Sequence, residues 1–216
     1  MDYRARNSRA LRMGVHRERA SCWWRGTVRP MMALVRQLLE PEAPLLAKAF
    51  YGGGDPGPIT ATMAHVPELL EVALPFIGAT LSPSALDWRT KEIVIVRTSA
   101  LMQCRYCIDS HTPVALDSGL SSVQVHALRS EADLAMAFDN PRDLALVHWT
   151  DAVVGPGPVS DDSRLAAQAV FCEAEIVELT LLVGVTLLLN RYATSLVLPV
   201  NDDVIARLAS EGFSRS

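Results

Sequence analysis

The 216-residue chain is poor in aromatic side chains (6%) and holds only four cysteines. Four cysteines over this length exclude a disulfide-built scaffold. No run reaches the roughly 18 uncharged apolar residues that a membrane span requires. The longest apolar run, Leu179 to Leu189, follows Glu178 and stops at Asn190-Arg191. The N-terminal segment lacks the apolar stretch of a secretory signal. These features lead us to expect a cytoplasmic chain that neither crosses nor binds a membrane. Positive charge is not in surplus, with a formal net charge of −4, so nucleic acid is not an expected partner. Thirteen Pro and 12 Gly without a period exclude a collagen-like chain. Strand-like alternation closed by hairpin turns is missing, as is any internal repeat.

What is present is an apolar half. Hydrophobic residues make up 50% of the chain, too many for a disordered protein and enough for a core of one domain with appendages. Charge is unevenly spread. Residues 1–30 carry eight arginines against Asp2 and Glu18, so the remainder is markedly acidic. This basic arm reads as a disordered extension or an upstream start, with Met13, Met31 and Met32 as later starts. An arginine-rich targeting segment and a polyanion-binding arm are the alternatives. The folded domain is expected over 31–216.

Helical spacing predicts helices over 31–50, interrupted by Pro41 and Pro44, and over His65–Ala79, with Pro75 as a break or kink. Tyr51 to Pro58 reads as a loop. Ser82-Pro83-Ser84 is read as the start of a helix through Met102. Ser121-Ser122-Val123-Gln124 is a capping box opening a helix to Arg129. Asn140-Pro141 starts another that stops at Gly155, and Ser160 opens the next. Glu173 to Leu196 forms a long apolar helix, and Asp202 to Leu208 closes the chain. The fold class is all-α, a helical bundle. A long helix apolar nearly all round has to be buried, either centrally or between subunits, so a homo-oligomer is expected.

The chemistry concentrates in one segment. On a helix, Cys107 and His111 fall at about 300° and 340° relative to Cys104, placing two thiols and an imidazole on one face. Cys107 and His111, at i and i+4, can touch. Two cysteines so spaced can close a disulfide, and a thiol at a helix start near an imidazole gains thiolate character. Glu92 could orient the histidine, as the third member of a triad does. A zinc site would find three ligands here and need a fourth from afar, such as Cys172. Simple packing is the remaining reading. Ile108 after Cys107 excludes a c-type haem motif, and no βαβ context supports a thioredoxin-like site. Cys22 lies in the arm, and Cys172, alone in an apolar stretch, reads as core. His65, His126 and His148 read as ordinary surface or core histidines, Asp161-Asp162 as helix-start acids, and Asn190-Arg191 as structural.

The pattern Glu-x11-Cys-x2-Cys-x3-His, with Tyr106 before the second cysteine and Leu120-Ser121 downstream, resembles the carboxymuconolactone decarboxylase superfamily, in its alkylhydroperoxidase AhpD-like branch. The resemblance spans about residues 60–200 and includes Leu81-Ser82, Arg89, Asn140 to Ala145, Glu175 to Leu179 and Leu189 to Tyr192. It implies an all-α trimer or hexamer with thiol-dependent hydroperoxide reductase activity and no bound cofactor or metal. By that resemblance Cys107 attacks an organic hydroperoxide or other small oxidant. Cys104 resolves the product into a disulfide and meets a dithiol reductant such as a lipoyl-bearing protein, and His111 with Glu92 relays protons. Some peroxidase members have histidine where this chain has Tyr106. Pro113 threatens to break the helix after His111. The decarboxylase branch lacks the cysteine pair, so lactone decarboxylation is not expected. A same-fold enzyme with diverged small-molecule chemistry and a non-catalytic zinc or structural module remain the alternatives.

Overall fold

The computed structural model describes residues 33–130 and 134–213, which lie in one compact unit, 31–216. The basic arm, Cys22 and the candidate starts Met13, Met31 and Met32 lie outside the described residues. Among the described residues the regular structure is helical: α1 (Leu45–Lys48), α2 (Gly57–Met63), α3 (Pro67–Leu81), α4 (Trp88–Leu101), α5 (Arg105–Asp117), α6 (Ser122–Arg129), α7 (Pro141–Val154), α8 (Asp161–Gln168), α9 (Glu173–Leu196) and α10 (Asp202–Ser210). Two short 3-10 turns, Glu40–Glu42 and Leu134–Met136, complete it. The all-α expectation holds.

The central helix is α4, which packs against α5, α6, α7 and α9. Lys91 to Val96 are all buried, as are Thr98 and Ser99. Its apolar run Ile93-Val94-Ile95-Val96 has the β-branched composition of a strand. Tertiary burial on all sides and the Asp87 cap, which accepts from Thr90 N at 2.7 Å, hold it helical instead. Two bidentate pairs lock α7 alongside: Arg89 on Asp143 (3.1 and 2.7 Å) and Arg97 on Asp151 (2.7 and 2.8 Å). Equal spacing on both helices runs them in the same direction.

The long helix α9 is not buried all round. Leu179, Leu182 and Val183 are fully buried against the core, each contributing about 1.5–3 kcal/mol. Val177, Leu181 and Leu188 on its other side are 59%, 47% and 54% exposed. Burial by a single chain therefore covers one face only. The helix is long and apolar enough to cross a membrane by composition, which a rule of strictly uncharged runs does not detect. Its inner face is occupied by the core.

Several boundaries differ from expectation. No helix spans 31–50, because Pro41 and Pro44 leave only a 3-10 turn and the four residues of α1. Part of the expected glycine-rich loop is helix, since Pro58 sits in the first turn of α2. Ser82-Pro83-Ser84 does not start a helix; α4 begins after Asp87. Pro75 and Pro113 both lie inside continuous helices. The α6, α7, α8 and α9 starts fall where the capping residues Ser121, Asn140, Ser160 and Cys172 put them.

The turn before α4 is held by a buried ion pair. Lys91, 1% exposed, places Nζ 2.5 Å from Glu178 Oε1 on α9 and also donates to the Thr80 (2.8 Å) and Ser82 carbonyls. Glu178 in turn accepts from Ser84 Oγ (2.5 Å) and Ala85 N (3.0 Å). Burial pushes the Glu178 carboxyl up, but Lys91 and Ser84 outweigh it and hold the group below its usual range. Removing one partner strands a buried charge. Glu178→Ala is expected to cost about 3–5 kcal/mol, measured by urea denaturation. Lys91→Met should cost less, because the carboxylate left behind keeps its hydrogen bonds to Ser84 and Ala85.

Candidate active site

The joint between α4 and α5 builds the site. After Leu101 the chain turns through Gln103, whose φ of +53° lies in the left-handed region. Gln103 N donates to the Ala100 carbonyl and Cys104 N to the Ser99 carbonyl, both at 3.0 Å. That pairing is a Schellman turn, which normally places glycine at the left-handed position. The end of α5 does so, with Gly119 at φ +97° and Leu120 N on the Ala115 carbonyl. Gln103 holds the same conformation without glycine's freedom. Cys104 is at once the last residue of this turn and the N-cap of α5.

The sulfurs of Cys104 and Cys107 lie 3.0 Å apart. Both are free thiols, 1% and 5% exposed. The hydrogen bond from the Cys107 thiol lowers the Cys104 pKa to about 6 against the opposing effect of burial. The Thr194 hydroxyl and the N–H groups of Cys107 and Tyr106 help. Cys107 is pushed up, first by its bond to Cys104 and then by burial. One proton therefore sits between two sulfurs, with the negative charge on Cys104 at the helix start, where dipole and amides favour it.

His111 lies one turn beyond Cys107 on α5, which Pro113 does not interrupt. Its Nδ1 is 3.0 and 3.3 Å from the two carboxylate oxygens of Glu92 on α4. Glu92 is buried, and the His111 side chain is 27% exposed. A carboxylate at Nδ1 fixes the tautomer that carries its proton there and leaves Nε2 as the basic nitrogen. No hydrogen bond joins His111 to Cys107 among the described residues. The two meet instead across a cavity of about 80 Å³. Its polar lining is Cys107, His111, Ser99, Tyr106, Ser110 and Thr186, and Ile59, Leu81, Ile95 and Leu189 supply its apolar walls. Burial raises Tyr106 to about 12, so its hydroxyl stays protonated.

All four residues singled out by spacing thus converge. Cys104, however, is buried and does not line the cavity, so the sulfur that faces any visiting molecule is Cys107. An open Cys104 ready for an external reductant is not what the fold presents. Cys172, expected in the core, is an exposed N-cap. No group of three or more His, Cys, Asp or Glu side chains among the described residues is placed to hold a metal ion. His126 stacks on Phe213 (centroids 4.2 Å apart), and His65 Nε2 meets the Arg36 carbonyl at 2.9 Å. His148 borders a separate surface cleft with Trp149. Asn190 is buried, as expected, and Arg191 is exposed.

Sequence reasoning missed Ile59 and Ser99. Ile59 sits on α2, within the segment read as loop, and α2 is fixed over the site by Tyr192 Oη donating to Thr62 Oγ1 at 3.0 Å. Ser99 precedes the cysteines by one Schellman turn, a signal visible only once α4 is known to end at Leu101.

The site is thus a buried dithiol beside a Glu–His pair in a helical bundle. The carboxymuconolactone decarboxylase family profile matches residues 67–152. That segment runs from α3 to α7 and includes Glu92, Cys104, Cys107 and His111, and the solved structures below share the fold. An uncharacterized peroxidase-related protein with an alkylhydroperoxidase AhpD core from Ralstonia eutropha JMP134 is 18% identical. The match covers 82% of this chain and 95% of that one, with a TM-score of 0.70. A protein of unknown function from Agrobacterium tumefaciens, named as an AhpD candidate in antioxidant defence, is 25% identical over 64% of this chain and 96% of that one (TM-score 0.57). The debrominase Bmp8, in a cysteine-to-alanine variant bound to 2,3,4-tribromopyrrole, is 18% identical over 84% and 98% (TM-score 0.69). No curated protein matches the chain.

The polarity of the pair yields a titration. Thiolate absorbance should appear as pH rises through about 6, the value to which Cys104 is lowered, and amount to one thiolate per chain at neutral pH. Cys104→Ser should abolish this step. Cys107→Ala, by removing the largest stabilising hydrogen bond, should move the midpoint upward toward an ordinary thiol near ~8.5. No thiolate below pH ~8 in the native protein would refute the assignment.

Proposed function

We propose that the protein is a thiol-dependent hydroperoxide reductase that takes a compact hydroperoxide as oxidant and a dithiol as reductant. The observation that carries this reading is the arrangement of three groups. One sulfur faces a small cavity beside a basic imidazole nitrogen, and a second, ionised sulfur waits 3.0 Å behind it.

The chemistry balances in three steps. Cys107 sulfur attacks the terminal peroxide oxygen and breaks the O–O bond, giving Cys107 sulfenic acid. The proton of the Cys107 thiol passes by way of His111 Nε2 to the departing alkoxide, which leaves as the alcohol. Glu92 supports the imidazolium that forms in between. The Cys104 thiolate then attacks the sulfenic sulfur and expels hydroxide, which gains a proton and leaves as water. The result is a 104–107 disulfide. A dithiol then gives two electrons, itself becoming a disulfide; one of its two protons restores the Cys107 thiol, the other returns to solvent the proton that the hydroxide took up, and Cys104 is again a thiolate. The roles assigned to Cys107 and Cys104 fit their positions: the first meets the substrate, and the second needs only to be charged and close.

A cavity of about 80 Å³ suits a peroxide group with a short alkyl chain. Exchange with a dithiol requires Cys107, the sulfur on the cavity, to be the point of entry for the reductant. Self-association through the exposed α9 stripe of Val177, Leu181 and Leu188 is part of the same proposal.

The debrominase neighbour favours a second reading, in which the dithiol removes halogen from a small ring. Purified protein supplied with dihydrolipoamide should consume hydrogen peroxide and tert-butyl hydroperoxide, and Cys107→Ser should abolish turnover. Cys104→Ser should form sulfenic acid once, trapped by dimedone, and then stop. Bromide release from 2,3,4-tribromopyrrole without peroxide consumption would transfer the assignment to the second reading.

A further inference from the structure

Several buried hydroxyls on the described helices follow a rule that Ser99 and its neighbour Thr98 break. Thr80, Thr112, Thr150 and Thr186 each donate to the carbonyl four residues back, at 2.8 to 2.9 Å. Ser99 is fully buried on α4, yet its Oγ has no hydrogen-bond partner among the described residues. Buried polar groups are nearly always paired, so an unpaired one calls for a reason. Ser99 borders the cavity that Cys107 and His111 share. Its backbone is pinned there by the Cys104 N–H on its carbonyl.

Of the other hydroxyls of the cavity, Thr186 is bonded to the Leu182 carbonyl and Ser110 is hydrogen-bonded to the Tyr106 oxygen, so the buried hydroxyl without a partner on the α4 wall is Ser99. We propose that the Ser99 hydroxyl is the hydrogen-bond donor that holds the peroxide oxygens of the substrate over Cys107, an inference that rests on the peroxidase reading above. The hydroxyl rotates freely until a substrate arrives, then points its hydrogen at the oxygen on which negative charge develops. Beside buried apolar walls such as Ile95 and Leu189, such a donor acts on the transition state more strongly than it would in solvent. Ser99 keeps its proton throughout; the proton that the alkoxide takes comes from Cys107 through His111. Substrate entry gives the orphaned hydroxyl the partner that the folded chain withholds.

The neighbouring Thr98 provides the control. Its hydroxyl is equally buried and unpartnered among the described residues, but Thr98 does not border the cavity. The test mixes pre-reduced protein with hydrogen peroxide or tert-butyl hydroperoxide and follows thiol loss over a single turnover. Ser99→Ala should slow the second-order rate about tenfold to a hundredfold, the effect of one hydrogen bond to a charge-bearing group. The thiolate titration of Cys104 should stay where it is. Thr98→Ala should match the wild type in both measurements. A wild-type rate in Ser99→Ala, an equal loss in Thr98→Ala, or a loss accompanied by a shifted thiolate titration would each overturn the proposal while leaving the peroxidase reading intact. A native protein inert to both peroxides removes that reading, and this one with it.

Discussion

Two sulfurs 3.0 Å apart share one proton because α4 ends and α5 begins within a single turn. The same few residues do both jobs. Gln103 reverses the chain in the left-handed region, Ser99 takes the first amide of the next helix, and Cys104 becomes the N-cap. Any longer connection would separate the N-cap sulfur from the end of α4, and with it from the cavity wall that Ser99 forms. Since α4 is buried on nearly every side, the position of this joint is set by the core as a whole. Rigidity of the dithiol is therefore inherited from the packing of Ile93 to Val96 against α7 and α9, not from the loop itself.

Electrostatics then divides the pair into unlike partners. The charge settles on Cys104, where the thiol of Cys107 and the amides of the first turn of α5 all point. Cys107 keeps the proton and the view of the cavity. The arrangement resembles other two-residue dithiol motifs in principle, but here the ionised sulfur is the hidden one. Protection follows from this. Cys104 is shielded from solvent, while Cys107 faces the cavity that His111, paired with Glu92, also borders.

The sequence made much of this legible. Cys104, Cys107 and His111 were recoverable from spacing, because a helix converts i, i+3 and i+7 into a shared face; Glu92, on α4, was legible as an orienting carboxylate only through the wider Glu-x11-Cys-x2-Cys-x3-His pattern. Helix starts marked by Ser121, Asn140 and Ser160 were equally readable, since capping is a local reaction between a side chain and the next turn. What failed depended on distance. Pro75 and Pro113 were tolerated because neighbouring helices hold their helices together. The burial of Cys104 came from Ala193 and Leu198 at the far end of the chain. The exposure of Cys172 arose because its helix starts at the surface. Ser99 carried no local signal at all; its meaning comes from a hydrogen bond it does not make.

The account stands or falls on whether these two sulfurs act as one two-electron unit. Adding a single equivalent of hydroperoxide to the fully reduced protein and mapping its thiols by mass spectrometry addresses this without any reductant or turnover. The account predicts loss of two thiols per chain, an intramolecular link between Cys104 and Cys107, and one equivalent of alcohol. Retention of both thiols, or oxidation confined to Cys172 or to links between chains, would contradict it.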